Sequence, residues 1–141
     1  MRNVLSAVFV LLTAVAPASA AMRIQASNGG QIGPYLALFM LVRDSGEQVI
    51  IDGPCLSACT LVLSVVPRER ICVTRRAVLG FHAAWRPGPR GRPLTHSGAT
   101  RLILATYPPP VRAWISRRGG LTSRALWLRG RELTSLYPAC G

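Results

Sequence analysis

The sequence predicts one α/β domain in which a mainly parallel sheet carries packed helices. Three observations lead to this prediction. Short apolar runs of strand length alternate with longer apolar stretches of helix length, as in strands joined by crossover helices. Glycine and proline clusters separate these runs and predict the turns between them. The chain has 141 residues, which suits one compact domain with its own core.

The N-terminal segment has the pattern of a secretory signal. Residues 1–3 include Arg2, an apolar run follows over residues 4–17, and residues 18–20 read Ala-Ser-Ala. A short positive region, an apolar stretch and a small-x-small site are typical of a cleavable signal peptide. The run is shorter than the roughly 20 residues that cross a bilayer. We therefore expect cleavage after Ala20, a single domain over residues 21–141, and a periplasmic or secreted location; an uncleaved anchor helix is the alternative.

The sequence of the first half of the domain predicts a strand, a helix and a second strand. Residues 22–26 have strand character, and Gly29-Gly30 break the run. Pro34 suits the first turn of a helix, and Gly46 suits its C-terminal end. Residues 47–52 contain a continuous apolar run, which is typical of a strand buried on both faces.

The second half predicts more helix than strand. A turn at residues 53–54 precedes an apolar helix over residues 56–66, which Pro67 ends. Residues 85–99 are rich in Pro, Gly and Arg and predict a flexible surface loop. The remaining predicted elements are strands at 70–73 and 77–82, helices at 98–106, 109–118 and 122–128, and a helical turn at 132–137.

The charge is strongly positive and comes from arginine alone. The chain has 17 Arg, no Lys and five acids, for a formal net charge of +12. Such a charge attracts anionic partners. However, the arginines are scattered, and no aromatic residues interleave with them as they do in a nucleic-acid groove. We therefore expect no specific nucleic-acid partner, and a loose contact with an anionic envelope surface stays open.

Four cysteines, Cys55, Cys59, Cys72 and Cys140, follow the predicted signal. An even number in an exported chain favours disulfides, and four cysteines allow three pairings. A zinc site that adds His82 or His96 is the rival interpretation, but the spacings do not match a zinc knuckle. We therefore expect no metal and no cofactor.

Three segments at strand ends could carry chemistry. Ser57 follows a strand and opens a helix, where backbone N–H groups favour developing negative charge. His82 ends a strand and could serve as a base. Gly29 and Gly30, with the N–H of Ala58, could bind an oxyanion. Taken singly, each also fits a structural role: a helix cap, a core histidine or a tight turn.

In their order and spacing, these segments resemble the proteolytic subunit of Clp protease. Residues 27–33 (SNGGQIG) are similar to its Gly-Gly oxyanion loop, residues 55–59 (CLSAC) to its nucleophile segment, and residues 78–82 (VLGFH) to the strand of its general base. Residues 124–137 resemble its last helical region. Gly30 and Ser57 are 27 positions apart, and Ser57 and His82 are 25 apart, which also fits that family.

The resemblance implies a Clp/crotonase-like core of repeated ββα units, and more narrowly a small periplasmic Clp-protease-like protein. It implies Ser57 as nucleophile, His82 as base, and Gly29, Gly30 and Ala58 around the oxyanion. The cysteines are foreign to the family's pattern. Of the three pairings, one could join Cys59 to Cys72 on the next strand and Cys55 to Cys140, and the sequence does not choose among them.

Two departures leave the function open. The family's acid follows an arginine in the late helical region, but Ala125 follows Arg124 here, and the absence of Lys excludes a Ser–Lys pair. One hypothesis is a peptidase-like serine hydrolase that acts on a peptide or protein. In it a backbone carbonyl, a water or Ser123 would take the place of the acid that orients His82. The second is a non-catalytic envelope binding or scaffolding module. The third is thiol chemistry at Cys55 or Cys59 with His82. No oligomeric state is predicted.

Overall fold

The computed structural model describes residues 20–141. The predicted signal peptide, apart from Ala20, lies outside these residues. None of the helices in the described part is long and apolar enough to cross a membrane. In chain order the elements are β1 (Ala21–Ile24), α1 (Ile32–Ser45), β2 (Gln48–Ile51), β3 (Pro54–Leu56), a 3₁₀ helix (Ser57–Leu61), α2 (Val62–Val65), a 3₁₀ turn (Arg68–Arg70), β4 (Ile71–Val73), β5 (Val78–Phe81), β6 (Trp85–Pro87), a 3₁₀ turn (Pro89–Gly91), β7 (Pro93–Thr95), α3 (Ser97–Thr106), α4 (Pro109–Ser116), β8 (Leu126–Arg129) and α5 (Gly130–Leu136).

A first sheet has the order β1-β2-β4, and all its strands are parallel. Helix α1 connects β1 to β2 as the crossover that a parallel pair requires. The helix ends where Gly46 adopts φ +78°, a left-handed conformation that glycine adopts without steric cost. The helix buries Phe39 and Val42 near Val49 and Ile51, which are fully buried.

A buried carboxylate ties the strand ends of this sheet together. Asp52 follows β2 and accepts hydrogen bonds from Arg23 Nη1 at 2.8 Å, from Thr74 Oγ1 at 2.7 Å and from the Arg76 guanidinium. These bonds, with that from Arg76 first, hold the pKa of Asp52 well below its usual range. Asp52 is therefore a structural anion of the first sheet.

A second sheet has the order β3-β5-β8, with β3 parallel and β8 antiparallel to β5. A separate antiparallel hairpin consists of β6 and β7. The chain thus has a mixed α/β fold with mainly parallel pairing, as the sequence predicts.

The prediction of a helix over residues 122–128 is wrong, because residues 126–129 form β8. The segment Leu-Trp-Leu-Arg alternates along the strand, with Leu128 fully buried and Trp127 half exposed. Pairing with β5 overrides the local helical preference. Two other regions also differ from prediction. Residues 85–95 form the hairpin instead of an irregular loop, and the helix predicted at 56–66 divides into the end of β3, the 3₁₀ helix and α2.

All four cysteines form disulfides, and the pairing differs from the one considered from the predicted elements. The bonds are Cys55–Cys59 and Cys72–Cys140. Cys55 and Cys59 lie 5.3 Å apart at Cα because the chain turns sharply between them. Cys72 lies on β4 in the other sheet, and the C-terminal segment runs beside β4, where the Cys140 N–H donates to the Val73 carbonyl at 3.0 Å. The second bond therefore fastens the C-terminus to the first sheet.

Candidate active site

A groove of about 670 Å³ lies where the loop after β1, the segment after β3 and the segment after β5 meet. It is lined by every residue that the sequence predicts for nucleophile, base and oxyanion, together with apolar side chains. The lining residues are Asn28, Gly29, Gly30, Gln31, Ile32, Ser57, Ala58, Thr60, Leu61, His82, Ala84, Trp85, Pro87, Ile103 and Tyr107. Ser57 and His82 thus line the same cavity.

Ser57 has a backbone conformation that is rare for a side chain other than glycine. Its φ is +56°, at the junction of β3 and the 3₁₀ helix. A non-glycine residue in this region carries strain of about 1–3 kcal/mol, and such strain is concentrated at functional sites. A serine on a sharp strand-to-helix turn is also how α/β hydrolases present their nucleophile. The turn leaves Ser57 partly exposed to the groove.

The Cys55–Cys59 disulfide encloses this strained serine. The two half-cystines lie two positions before and two positions after Ser57, and both are buried. The bond therefore closes a five-residue covalent ring with Ser57 at its centre. Such a ring restricts the conformations that this segment can adopt.

Gly29 packs directly against the serine turn. It has φ +78°, and a Cβ at this position would lie 2.5 Å from both Ser57 Cβ and the Leu56 carbonyl oxygen. Only glycine fits there, because both the backbone conformation and the space exclude a side chain. Gly30 differs, since a Cβ there would meet only Tyr35 Cε2 at 3.6 Å.

Ser27 fixes the Gly-Gly loop to β3. Its N–H donates to the Pro54 carbonyl at 2.8 Å, and its carbonyl accepts from the Leu56 N–H at 2.9 Å. Its hydroxyl lies 2.6 Å from Tyr35 Oη and accepts from the Gly29 N–H at 3.3 Å. The loop and the serine turn are therefore held as one unit.

A buried hydrogen-bond chain holds the Ser57 carbonyl. Thr60 Oγ1 donates to the Ser57 carbonyl oxygen at 2.7 Å and lies 2.6 Å from Tyr107 Oη. Since the threonine proton is already committed, the tyrosine hydroxyl is the donor to Thr60. Burial raises the pKa of Tyr107 to about 12, which keeps this donor protonated. No sequence motif indicates either residue, because 47 positions separate them.

The hydrogen bonds from Tyr107 through Thr60 to the Ser57 carbonyl orient the peptide group that joins Ser57 to Ala58. A trans peptide is planar, so fixing the carbonyl also fixes the direction of the Ala58 N–H. Among the loop and side-chain hydrogen bonds of residues 20–141, none uses the N–H of Ala58 or Gly30 as a donor. Both amides belong to residues that line the groove. They are thus available to an acceptor bound there.

His82 follows β5 and lines the groove. Its Nδ1 lies 2.8 Å from the carbonyl oxygen of Ala83. A carbonyl only accepts, so Nδ1 carries the proton and Nε2 of the neutral ring is an acceptor. The hydrogen bonds of the described residues do not include one between Ser57 Oγ and His82, a contact that is often long before substrate binds.

The acidic residues lie outside the groove that His82 lines. None of the five acids is among the groove residues. Asp52 belongs to the arginine cluster of the first sheet, and Glu132 pairs with Arg118. Ser123 makes no hydrogen bond to His82 within residues 20–141. The partner of Nδ1 is therefore the Ala83 carbonyl, the first of the three options that the sequence left open.

The zinc site and the thiol chemistry considered from the sequence are not supported, because the residues that they need are engaged elsewhere. With all four cysteines in disulfides, no thiolate is free for zinc or for thiol chemistry with His82. No group of three or more metal-ligating side chains occurs in residues 20–141. His96 caps α3 by accepting from the Ala99 N–H at 3.2 Å.

Comparison with solved structures identifies the fold. A ClpP1 point mutant from Listeria monocytogenes matches with a TM-score of 0.50 and 15% sequence identity, over 82% of this chain and 68% of that chain. The chain has a Clp-protease-like fold. No protein-family model matches the sequence, and no curated protein matches it either. At this identity the likeness concerns the fold alone.

Proposed function

We propose that the protein is a serine hydrolase that cleaves peptide or protein substrates by acyl transfer. The observation that carries this proposal is the strained Ser57, held inside a disulfide ring and lining one groove with His82 and two unengaged backbone amides. The strain alone would be a cost without benefit if Ser57 were only a cap. A serine that only caps a helix also does not require a histidine in the same cavity.

In the proposed reaction, Ser57 Oγ attacks the acyl carbon of the substrate. His82 Nε2 accepts the hydroxyl proton and returns it to the leaving group, and water then cleaves the acyl-enzyme by the same route. The N–H groups of Gly30 and Ala58, with Gly29 allowing their close approach, donate to the oxyanion. In mutagenesis of other hydrolases, one such donor contributes about 3–4 kcal/mol to catalysis.

The Ala83 carbonyl takes the orienting role that an acid has in a full triad. Its contact with Nδ1 at 2.8 Å holds the tautomer in which Nε2 accepts a proton. A neutral carbonyl stabilises the imidazolium less than a carboxylate does. We therefore expect a slow enzyme, since loss of the acid's function costs on the order of 10⁴ in turnover where a full triad operates.

We also propose that the protein works outside the cytoplasm, as a small periplasmic or secreted Clp-protease-like protein. The signal-like segment at residues 1–20 supports this location. Two disulfides are compatible with it, because such bonds persist in oxidising compartments. N-terminal sequencing of the exported chain tests the location, and a start at Ala21 is expected.

The test of the hydrolase is labelling of the purified protein by a fluorophosphonate probe. We expect the wild type to be labelled, Ser57→Ala to be unlabelled, and His82→Gln to react at least tenfold more slowly. Ser64→Ala is the matched control, because Ser64 lies on α2 and contacts Thr106 outside the catalytic pair. Equal labelling of wild type and Ser57→Ala would refute the proposal.

A non-catalytic binding or scaffolding module is the second candidate. Two observations favour it: none of the acidic residues lines the groove, and Ser57 is not hydrogen-bonded to His82. It predicts no labelling of folded wild-type protein and an unchanged cellular phenotype on Ser57→Ala.

A further inference from the structure

The part of the sequence that contains His82 is rich in arginine and has no acidic residue. The 13 arginines of residues 70–131 have no acid among them, because the five acids all lie between residues 44 and 69 or at 132. Three of those acids are already engaged in ion pairs, namely Asp44, Asp52 and Glu132. The part of the chain that supplies His82 and most of the groove's apolar wall thus carries an excess of positive charge, since only Arg76 and Arg118 of these 13 arginines form ion pairs within residues 20–141.

The β6–β7 hairpin carries three of these arginines next to residues that line the groove. Trp85 and Pro87 line the cavity, while Arg86, Arg90 and Arg92 on the same hairpin are exposed. The ion pairs of residues 20–141 use other arginines: Arg23, Arg43, Arg76 and Arg118. The three guanidiniums of the hairpin are therefore free to meet an external anion.

The hairpin is anchored to the body of the protein at its base. The His96 N–H donates to the Ala84 carbonyl at 2.8 Å, and the Ala84 N–H donates to Thr100 Oγ1 at 3.0 Å. Near the tip, the Gly88 N–H donates to the Arg92 carbonyl at 2.8 Å. These bonds hold the hairpin backbone in place next to the groove.

The lining of the groove suits neutral side chains of a substrate. Apart from His82, its lining contains no ionisable side chain other than Tyr107, which burial keeps neutral.

We propose that the hairpin arginines select polypeptides with neutral residues at the cleaved bond and clustered Asp or Glu in the flanking sequence. This substrate class rests on the proposed hydrolase function. Guanidiniums form bidentate charge-assisted hydrogen bonds with carboxylates, so several arginines on one hairpin suit an acidic segment. The net positive charge of the chain also raises the rate at which such a segment arrives.

Binding is measured on the full chain with Ser57→Ala, so that hydrolysis does not interfere. The probes are two fluorescein-labelled peptides, each with a tetra-alanine centre, flanked by aspartates in one and by asparagines in the other. We expect the aspartate peptide to bind about tenfold more tightly at low salt, and about 0.5 M salt to remove most of the difference. Equal affinity for the two peptides would overturn the proposal.

A matched pair of variants tests the hairpin itself. R86Q/R90Q/R92Q removes three hairpin charges, and R75Q/R117Q/R131Q removes three exposed, unpaired charges elsewhere. We expect the hairpin variant to lose the aspartate preference and the control to keep it. An equal loss in both variants would overturn the proposal in favour of net charge alone.

Two further outcomes separate the proposals. Binding to anionic phosphatidylglycerol vesicles without a preference for the aspartate peptide would replace the acidic polypeptide with a membrane surface and so overturn the inference. Absence of fluorophosphonate labelling in wild type, with hairpin-dependent binding intact, would refute the hydrolase and leave acidic-peptide recognition supported.

Discussion

Removal of the disulfide around Ser57 separates the effect on reactivity from the effect on stability. In C55A/C59A the covalent ring opens, and Ser57 can leave its φ of +56°. A left-handed conformation costs a non-glycine residue about 1–2 kcal/mol. If that cost is fully relieved, the population of the presented serine falls roughly 5- to 30-fold.

The second disulfide is the matched control. The ring through Cys55 and Cys59 has a sequence separation of 4, whereas Cys72–Cys140 has one of 68. The chain-entropy model assigns about 2 kcal/mol to the small loop and about 4 kcal/mol to the large one. We therefore expect C72A/C140A to lose more stability and C55A/C59A to lose more reactivity.

The assay is the second-order rate constant for fluorophosphonate labelling, measured below the unfolding midpoint of each variant. Urea denaturation gives the free energies of unfolding in parallel. We expect C55A/C59A to label roughly tenfold more slowly than wild type and C72A/C140A to label at the wild-type rate. A labelling rate in C55A/C59A equal to that of the control variant would refute the positioning role of the ring.

Three further predictions concern the groove and the first sheet. Gly29→Ala should abolish labelling, because its Cβ would lie 2.5 Å from the serine turn. Gly30→Ala is the control and should remain folded, because its Cβ would make only an ordinary 3.6 Å contact. Similar circular dichroism and similar labelling for the two variants would contradict this prediction. Thr60→Val should slow labelling several-fold and lower the free energy of unfolding by about 1–3 kcal/mol, since it releases the Ser57 carbonyl and leaves the Tyr107 hydroxyl unpaired; Tyr107→Phe, which keeps the bond from Thr60 to that carbonyl, should label faster than Thr60→Val. Asp52→Asn should lower the urea midpoint at pH 7, because the folded pKa of Asp52 lies below its unfolded value near 3.9 and the carboxylate stabilises the fold above that pH. The difference from wild type should close as pH falls through about 4 and below, and a constant difference over that range would argue against the arginine cluster as its source.

The local sequence determined much of the fold because turn residues and apolar runs act over short distances. Gly46 ends α1 where the sequence predicted the end, and the strand predicted at residues 47–52 contains β2. The same local signals failed at residues 126–129. There an alternating apolar pattern is too short to distinguish from a helical turn, and pairing with β5 decided the outcome.

For the candidate site, the sequence determined which residue types stand at the strand ends, and the parallel topology brought them to one groove. Only the tertiary structure decided what holds them. The pairing of Cys55 with Cys59, the chain from Tyr107 through Thr60 to the Ser57 carbonyl, and the carbonyl behind His82 all depend on distances in space. Spacing along the chain carries no record of such distances, because a residue 47 positions away and one a single position away can both lie within hydrogen-bond reach once the core has packed.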